Sequence, residues 1–400
     1  MTTVGKNLAS RHAQDNDLAS STLLAVGSLS VRFPQGKQHL RAVSSVSFSM
    51  EPTESVAVVG ESGSGKTTVL RAIAGLLSGQ ALISGSITLH GEELIGREEA
   101  QLRQLRGNQI GFIFQDPVNC FNPSMTIGAQ LRRILKIHRP EVAKSNWDAE
   151  ILSILGRVGI DGRGKLKNYP FEFSQGQLQR IMIAGVCLGS RPAILLADEP
   201  TTSLDVTTEA HVLELLRELR AESGMALLLV THNLAVAAQI CDRALVMYGG
   251  RVVEEASIID LFDHPSHPYT RQLLKSLPHF PHRQGRLSPI PGELVAAIAS
   301  EQGCSFRPRC AEVLGEICAL QVPGLVPTGQ LGQKAACHLF PAASAKGVDG
   351  GKDHGDEVSG GEESGAEGGR AEESEGACQA ERKGIGEATS RRIGEATASR

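Results

Sequence analysis

Gly60-Glu61-Ser62-Gly63-Ser64-Gly65-Lys66-Thr67 follows Ser55 to Val59, a short run that is apolar after its first residue. It precedes a stretch in which Val69, Ile73, Leu76 and Leu77 recur at helical spacing up to Gly79. The eight residues fit G-x-x-x-x-G-K-[ST], and strand, glycine-rich turn, helix is the context in which that pattern carries chemistry. A continuously apolar run reads as a strand buried on both faces, and the helix is expected to stop at Gly79. Glycines let the backbone curl so that successive N–H groups face one anion, and the helix adds the positive end of its dipole. Lys66 is then placed to reach the β- and γ-phosphates of a nucleotide. Thr67 offers a hydroxyl to Mg²⁺, a hard cation that takes oxygen ligands and keeps several waters.

Outward from this stretch, apolar runs at Ile110 to Phe114, Ile194 to Ala197 and Leu227 to Val230 alternate with helical patterns such as Glu209 to Arg220. That alternation predicts a largely parallel sheet with helices on its faces. Upstream, Leu23 to Phe33 and Leu40 to Met50 read as two strands about a Pro34/Gly36 turn. The run Ile194-Leu195-Leu196-Ala197-Asp198-Glu199 ends in two carboxylates. Asp198 can hold Mg²⁺ through water, leaving Glu199 to orient and deprotonate an attacking water.

The 400 residues, 41% hydrophobic, can bury at least one large core. No apolar run approaches the roughly 20 residues that cross a bilayer, so a membrane role is expected to come through partner chains. Met1 to Ser21 is polar, lacks the apolar core of a secretion signal, and reads as disordered. The net charge of -4 gives no basic footprint for nucleic acid. From about Ala343 the chain is rich in Gly, Glu, Ser and Ala, too poor in large apolar residues to order itself, and carries a short near-repeat, GIGEATS then RIGEATAS. Of eight cysteines, Cys304, Cys310, Cys318 and Cys337 fall close together, which in a reducing compartment suggests metal before disulfide.

Between the two phosphate-site halves stands Phe173-Ser174-Gln175-Gly176-Gln177-Leu178-Gln179-Arg180, which resembles the LSGGQ signature of the ABC family. Pro200 to Asp205 resembles its D-loop, Thr231-His232 its switch histidine, and Gln115 its Q-loop glutamine. The resemblance covers roughly residues 23 to 340 and implies a P-loop ABC cassette: a RecA-like parallel-sheet core, an antiparallel β subdomain and an inserted helical subdomain. It implies ATP and Mg²⁺ as cofactors, with Thr67, Gln115 and Asp198 toward the metal and Glu199, His232 and Gln115 as the catalytic group. Thr68, Gln177 and Asp205 join the loop residues as nucleotide contacts. Phe33 would stack on adenine, or simply pack the core. Ser174 and Gly176 would meet the γ-phosphate held by Lys66 of a second subunit, so that each site is shared. Gln175 replaces the signature's first glycine and Phe173 its usual leucine.

Asp116-Pro117-Val118-Asn119-Cys120-Phe121-Asn122-Pro123 resembles a stretch of the oligopeptide and dipeptide branch. So do His264-Pro265-Ser266-His267-Pro268-Tyr269-Thr270 and Cys304-Ser305-Phe306-Arg307-Pro308-Arg309-Cys310, with His264 and His267 read as loop residues. The expected divisions are a disordered 1–21, an ATPase domain over 22–262 with its helical subdomain at about 116–172, an extension over 263–342, and a disordered acidic tail over 343–400. In the extension, the four cysteines suit a [4Fe-4S] cluster or a structural zinc, with His338 a conceivable further ligand, or else pack as free thiols. The resemblance implies an importer ATPase on the cytoplasmic face of the inner membrane. It would pair with two membrane-spanning permeases, a second ATPase subunit, identical or related, and indirectly an extracytoplasmic binding protein. Peptides are the first expectation for cargo, nickel or another small solute the rival, and a soluble non-transport ABC ATPase the alternative of a different class.

Overall fold

A computed structural model describes residues 22–340, apart from 37, 78, 190–191, 203, 277–289, 291 and 293–301. The expectations for 1–21 and 343–400 lie outside the described residues. From the amino end, β1 (Leu24–Gln35) turns into β2 (Gln38–Met50) as an antiparallel pair, with Leu24 opposite Met50 and Phe33 opposite Leu40. β3 (Ser55–Val59) leads into α1 (Lys66–Ile73). β4 (Leu82–Leu89) and β5 (Glu92–Glu93) then return to the first hairpin, giving a four-stranded antiparallel sheet ordered β2-β1-β4-β5.

α2 (Glu99–Leu105) precedes β6 (Ile110–Ile113). The helical insertion follows as α3 (Pro117–Cys120), α4 (Ile127–His138), α5 (Trp147–Arg157) and α6 (Gln175–Gly189). The chain then runs through β7 (Ile194–Asp198), α7 (Val206–Ser223), β8 (Ala226–Thr231), α8 (Leu234–Ile240), β9 (Arg243–Tyr248) and β10 (Arg251–Ser257). α9 (Ile258–Asp263), α10 (Pro268–Lys275), α11 (Ile317–Leu320), β11 (Val326–Pro327) and β12 (Lys334–Ala335) complete it. The main sheet is ordered β11-β12-β10-β9-β3-β8-β7-β6, parallel from β9 to β6 and antiparallel beyond.

Period-2 alternation explains how β3 can be buried throughout. Val56 and Val58 face one core, shared with α1 and the antiparallel sheet, while Ala57 and Val59 face a second, shared with the helices of the insertion and with α7 and α8. In α4, Ile127, Leu131 and Leu135 recur every fourth residue and are buried, and Thr126 caps the helix by accepting from the Ala129 amide.

One local reading is corrected and another is sharpened. α1 ends at Ile73, not at Gly79: Gly75 takes a left-handed φ of 65°, and the bonds Leu76 N–H to Arg71 O and Gly75 N–H to Ala72 O close a Schellman turn. Leu77 stays in the core from outside the helix. His267 lies in the loop before α10 as expected, but it is buried there: it is 1% exposed, caps α10 by accepting the Tyr269 amide at Nδ1, and burial pushes its imidazole down to about 3, so it is neutral.

The extension is joined to the main sheet, not appended to it. Ala335 of β12 pairs with Glu254 of β10. Glu254 is fully buried, and its carboxylate accepts from the amides of Ser266 and His267 and from the Gln333 side chain, each at 2.8 Å. Leu228, at the centre of β8, is inaccessible to solvent. Leu228→Ala is expected to cost about 2–5 kcal/mol, read as a lower urea midpoint with unchanged far-ultraviolet circular dichroism before the transition.

Candidate phosphate site and catalytic cluster

The loop between β3 and α1 is shaped by close approach. Gly60 has φ 152°, and a Cβ there would lie 2.2 Å from the Met247 carbonyl oxygen; at Gly65, φ 99°, it would lie 2.5 Å from that of Ala42. No side chain can occupy either position without moving backbone. Gly65 leads α1 with no side-chain cap, so the dipole end and first-turn amides of Lys66, Thr67 and Thr68 are left for an anion. The Ser64 hydroxyl is buried and unpartnered within the same turn. Lys66 is 4% exposed and donates from Nζ to the carbonyls of Gly60 and Glu61, both at 2.8 Å. Burial lowers its ammonium pKa, against the opposing pull of the Glu199, Asp198 and Glu61 carboxylates.

The structure brings the predicted metal-side residues together. Thr67 Oγ1 donates to Asp198 Oδ1 at 2.8 Å across 131 residues of sequence. Asp198, 1% exposed, ends β7; burial raises its carboxyl pKa and the Thr67 hydroxyl pulls it back. One carboxylate and one hydroxyl beside a phosphate-binding turn suit Mg²⁺, which takes few protein oxygens and fills the remainder with phosphate and water.

Glu199 is the centre of the second cluster. Its Oε2 accepts from Thr202 Oγ1 at 2.7 Å and Gln115 Nε2 at 3.2 Å, and lies 3.2 Å from His232 Nδ1. The residue adopts φ 45°, a left-handed backbone that a non-glycine pays for, held by its amide bond to Val230 O at 2.9 Å. Strand ends of β6, β7 and β8 thus deliver Gln115, Glu199 and His232 to one carboxylate oxygen.

Other predicted residues sit apart from this cluster. Ser174 and Gln177 form a capping box at the start of α6, Ser174 N–H to Gln177 Oε1 at 3.0 Å and Gln177 N–H to Ser174 Oγ at 3.3 Å. A Cβ on Gly176 would meet Thr208 of α7 at 2.8 Å. Gln175 points to solvent and Phe173 is buried, so neither departure from the signature disturbs the packing of this chain. Asp205 caps α7, accepting the Thr208 amide at 3.0 Å and hydroxyl at 2.7 Å, which holds its carboxyl low. Phe33 is half-buried against the core beneath the antiparallel sheet.

The four clustered cysteines line one small cavity with His267 and His338. Burial pushes the Cys304 thiol up to about 11 and raises Cys310 and Cys337 as well. Among the described residues, no three His, Cys, Asp or Glu side chains converge as one metal ion requires. The zinc expectation is therefore corrected, since zinc-bound sulfurs at about 2.3 Å must crowd one point. His338 gives its Nε2–H to the Gln321 carbonyl at 2.9 Å instead.

Residues 43–202 match the family model of the ABC transporter, and residues 253–318 match that of the oligopeptide/dipeptide transporter C-terminal region. The oligopeptide transport ATP-binding protein OppD of Escherichia coli is 40% identical over 305 residues, 76% of this chain and 90% of the relative. This chain belongs to the ABC transporter family. OppD of Mycobacterium tuberculosis is also 40% identical, across 79% of this chain, which spans only 52% of that longer relative. Among solved structures, the dimeric post-hydrolysis state of the ATP-binding cassette MJ0796 with ADP and Pi superposes with a TM-score of 0.54 at 26% identity, covering 59% of this chain and 99% of that one. cbiO1 from Clostridium perfringens gives 0.52 at 25%, covering 61% and 92%. The signature, phosphate loop and carboxylate pair of this ABC protein thus sit on the fold those cassettes share.

Sequence reasoning passed over Thr202, Tyr269 and Arg309. Thr202 stood in plain view three residues after Glu199. Tyr269 and Arg309 belonged to quoted motifs, and an arginine among apolar residues signals a buried acidic partner. Thr67→Val is expected to cost about 1–3 kcal/mol in the nucleotide-free protein by stripping a buried carboxylate of its donor. Thr67→Ser should retain the wild-type thermal midpoint.

Proposed function

We propose that this chain is the ATP-hydrolysing subunit of a peptide importer, working on the cytoplasmic face of the inner membrane with two membrane-spanning permeases, a second ATPase subunit and, indirectly, an extracytoplasmic binding protein. The observation that carries it is the joining of Thr67 to Asp198 beside a Glu199 carboxylate on which Gln115, Thr202 and His232 converge. The C-terminal match and the relatives named as oligopeptide transport proteins support the peptide branch over nickel. Among the described residues, no helix is long and apolar enough to span a membrane, which agrees with a subunit that meets the bilayer through permeases.

In this reading, the loop amides and Lys66 bind the phosphates, and Phe33 supports the base. Thr67 and Asp198 hold Mg²⁺, which when bound neutralises charge on the transferring phosphoryl group. Glu199 takes a proton from the attacking water, Gln115 and His232 fix the orientation of that carboxylate, and His232 turns to the γ-phosphate. Ser174, Gly176 and Gln177 serve the partner subunit's nucleotide, from the exposed start of α6 where Ser174 and Gln177 cap one another. Asp205 contributes at that interface from the start of α7. Glu199→Gln is expected to slow ATP turnover about 10²–10⁴-fold while leaving nucleotide binding intact, measured by phosphate release and by equilibrium binding of a fluorescent ATP analogue.

We further propose that Cys304, Cys310, Cys318 and Cys337 are the donor set of a [4Fe-4S] cluster. Four cysteines are its complete ligand complement, and all four line one small cavity. Anaerobically purified protein should then be brown and contain iron and acid-labile sulfide. Both should disappear in Cys310→Ser, and colourless, iron-free wild-type protein would refute the assignment.

A further inference from the structure

The back of the phosphate loop is gripped by the C-terminal extension. Arg309, with its side chain 4% exposed, donates from Nη1 and Nη2 to the two carboxylate oxygens of Glu61 at 2.6 and 3.0 Å, across 248 residues of sequence. Its Nη1 also donates to the Tyr248 hydroxyl at 3.2 Å, and its guanidinium lies over the Tyr248 ring at 5.7 Å. The Tyr269 hydroxyl accepts the Glu61 amide at 2.9 Å. Tyr248, Tyr269 and Phe306 pack ring on ring, with centroids 4.7 to 5.4 Å apart, so the support is rigid as well as charged.

Glu61 is an awkward residue to find here. Its main-chain carbonyl already accepts from Lys66, and its carboxylate is one of three that bear on the Lys66 ammonium. A negative charge at this distance opposes the binding of a polyanion. Arg309 cancels that charge from the far side and, being planar and bidentate, also fixes the carboxylate in direction, which a lysine could not do.

We propose that Arg309 is a positioning residue for the nucleotide site: by neutralising and orienting Glu61, the C-terminal extension sets the affinity of the phosphate loop for ATP. This rests on the reading of the loop as the ATP site, and the two are separable. The phosphate contacts belong to α1 and the loop's glycines, whereas Arg309 reaches that loop through the Glu61 carboxylate.

The test is a charge-neutralisation cycle on the whole chain, using Arg309→Gln, Glu61→Gln and the double variant, with fluorescent ATP-analogue binding and the kcat and KM of ATP hydrolysis. Arg309→Gln exposes the carboxylate's charge and should weaken binding and raise KM about tenfold, with kcat changed less than about twofold. Glu61→Gln removes a carboxylate charge that bears on Lys66 and should bind ATP more tightly than wild type. The double variant, neutral again, should return to within about twofold of wild type. A clamp that is merely structural predicts that both single variants weaken binding and that the double variant is no better, and that pattern overturns the proposal, as does an unchanged Arg309→Gln. If Arg309→Gln does not fold, Glu61→Gln alone decides, weakened binding counting against. Wild-type protein that binds ATP no better than Lys66→Ala would instead overturn the nucleotide-site reading itself.

Discussion

Burying β3 on both faces is the constraint from which the site descends. With Val56 and Val58 committed to one core and Ala57 and Val59 to the other, the strand has no freedom to slide. Its exit is therefore fixed to within the thickness of the neighbouring backbone, and at Gly60 and Gly65 that backbone comes too close for any Cβ. The loop is thus shaped largely from outside, by Met247 of β9 and Ala42 of β2. Parallel neighbours β8 and β7 end at the same height, which is why Thr231-His232 and Asp198-Glu199 arrive beside it without any long loop to position them.

The site that results is dense in charge. Lys66 and Asp198 are nearly inaccessible, and each is moved by burial away from its charged form and drawn back by neighbours of the other sign or by a hydroxyl. Such an arrangement costs folding energy and is tolerable because each group has a partner ready before ligand arrives. Glu199 adds backbone strain to that cost. Local instability held in place by a well-packed sheet is what allows Gln115 and His232, from two other strand ends, and Thr202 to meet one Glu199 carboxylate oxygen.

Much of this was legible in the sequence, and the reasons differ by residue. The phosphate loop, Asp198 and Glu199 could be read because strand, turn and helix are contiguous in sequence and each leaves a periodic or compositional mark. Helix ends were harder: Gly79 looked like the stop for α1, yet Gly75 serves, because Leu76 and Leu77 continue the apolar pattern after the helix has already unwound. The Arg309–Glu61 pair was not legible, since 248 residues separate its members and nothing local to either one names the other. The burial of His267 was not legible for a related reason. A histidine in a proline-bounded stretch looks solvated until the strand and aromatic rings that cover it are known. The four cysteines were seen to be neighbours, but spacing along a chain says little about how far apart thiols stand in space.

Glu254 has a bearing on how the chain comes off the ribosome. Its carboxylate is sealed within β10, and one of its three donors, Gln333, is synthesised 79 residues later. β3, β8 and β9 can pair from residues already made, but the Glu254 carboxylate on β10 has only the Ser266 and His267 amides until Gln333 is made, a missing hydrogen bond worth about 1–3 kcal/mol. A chain that stops short of residue 333 would leave that carboxylate with two of its three donors at the edge of the sheet, so the residues that seal β10 come from the extension and not from the cassette alone.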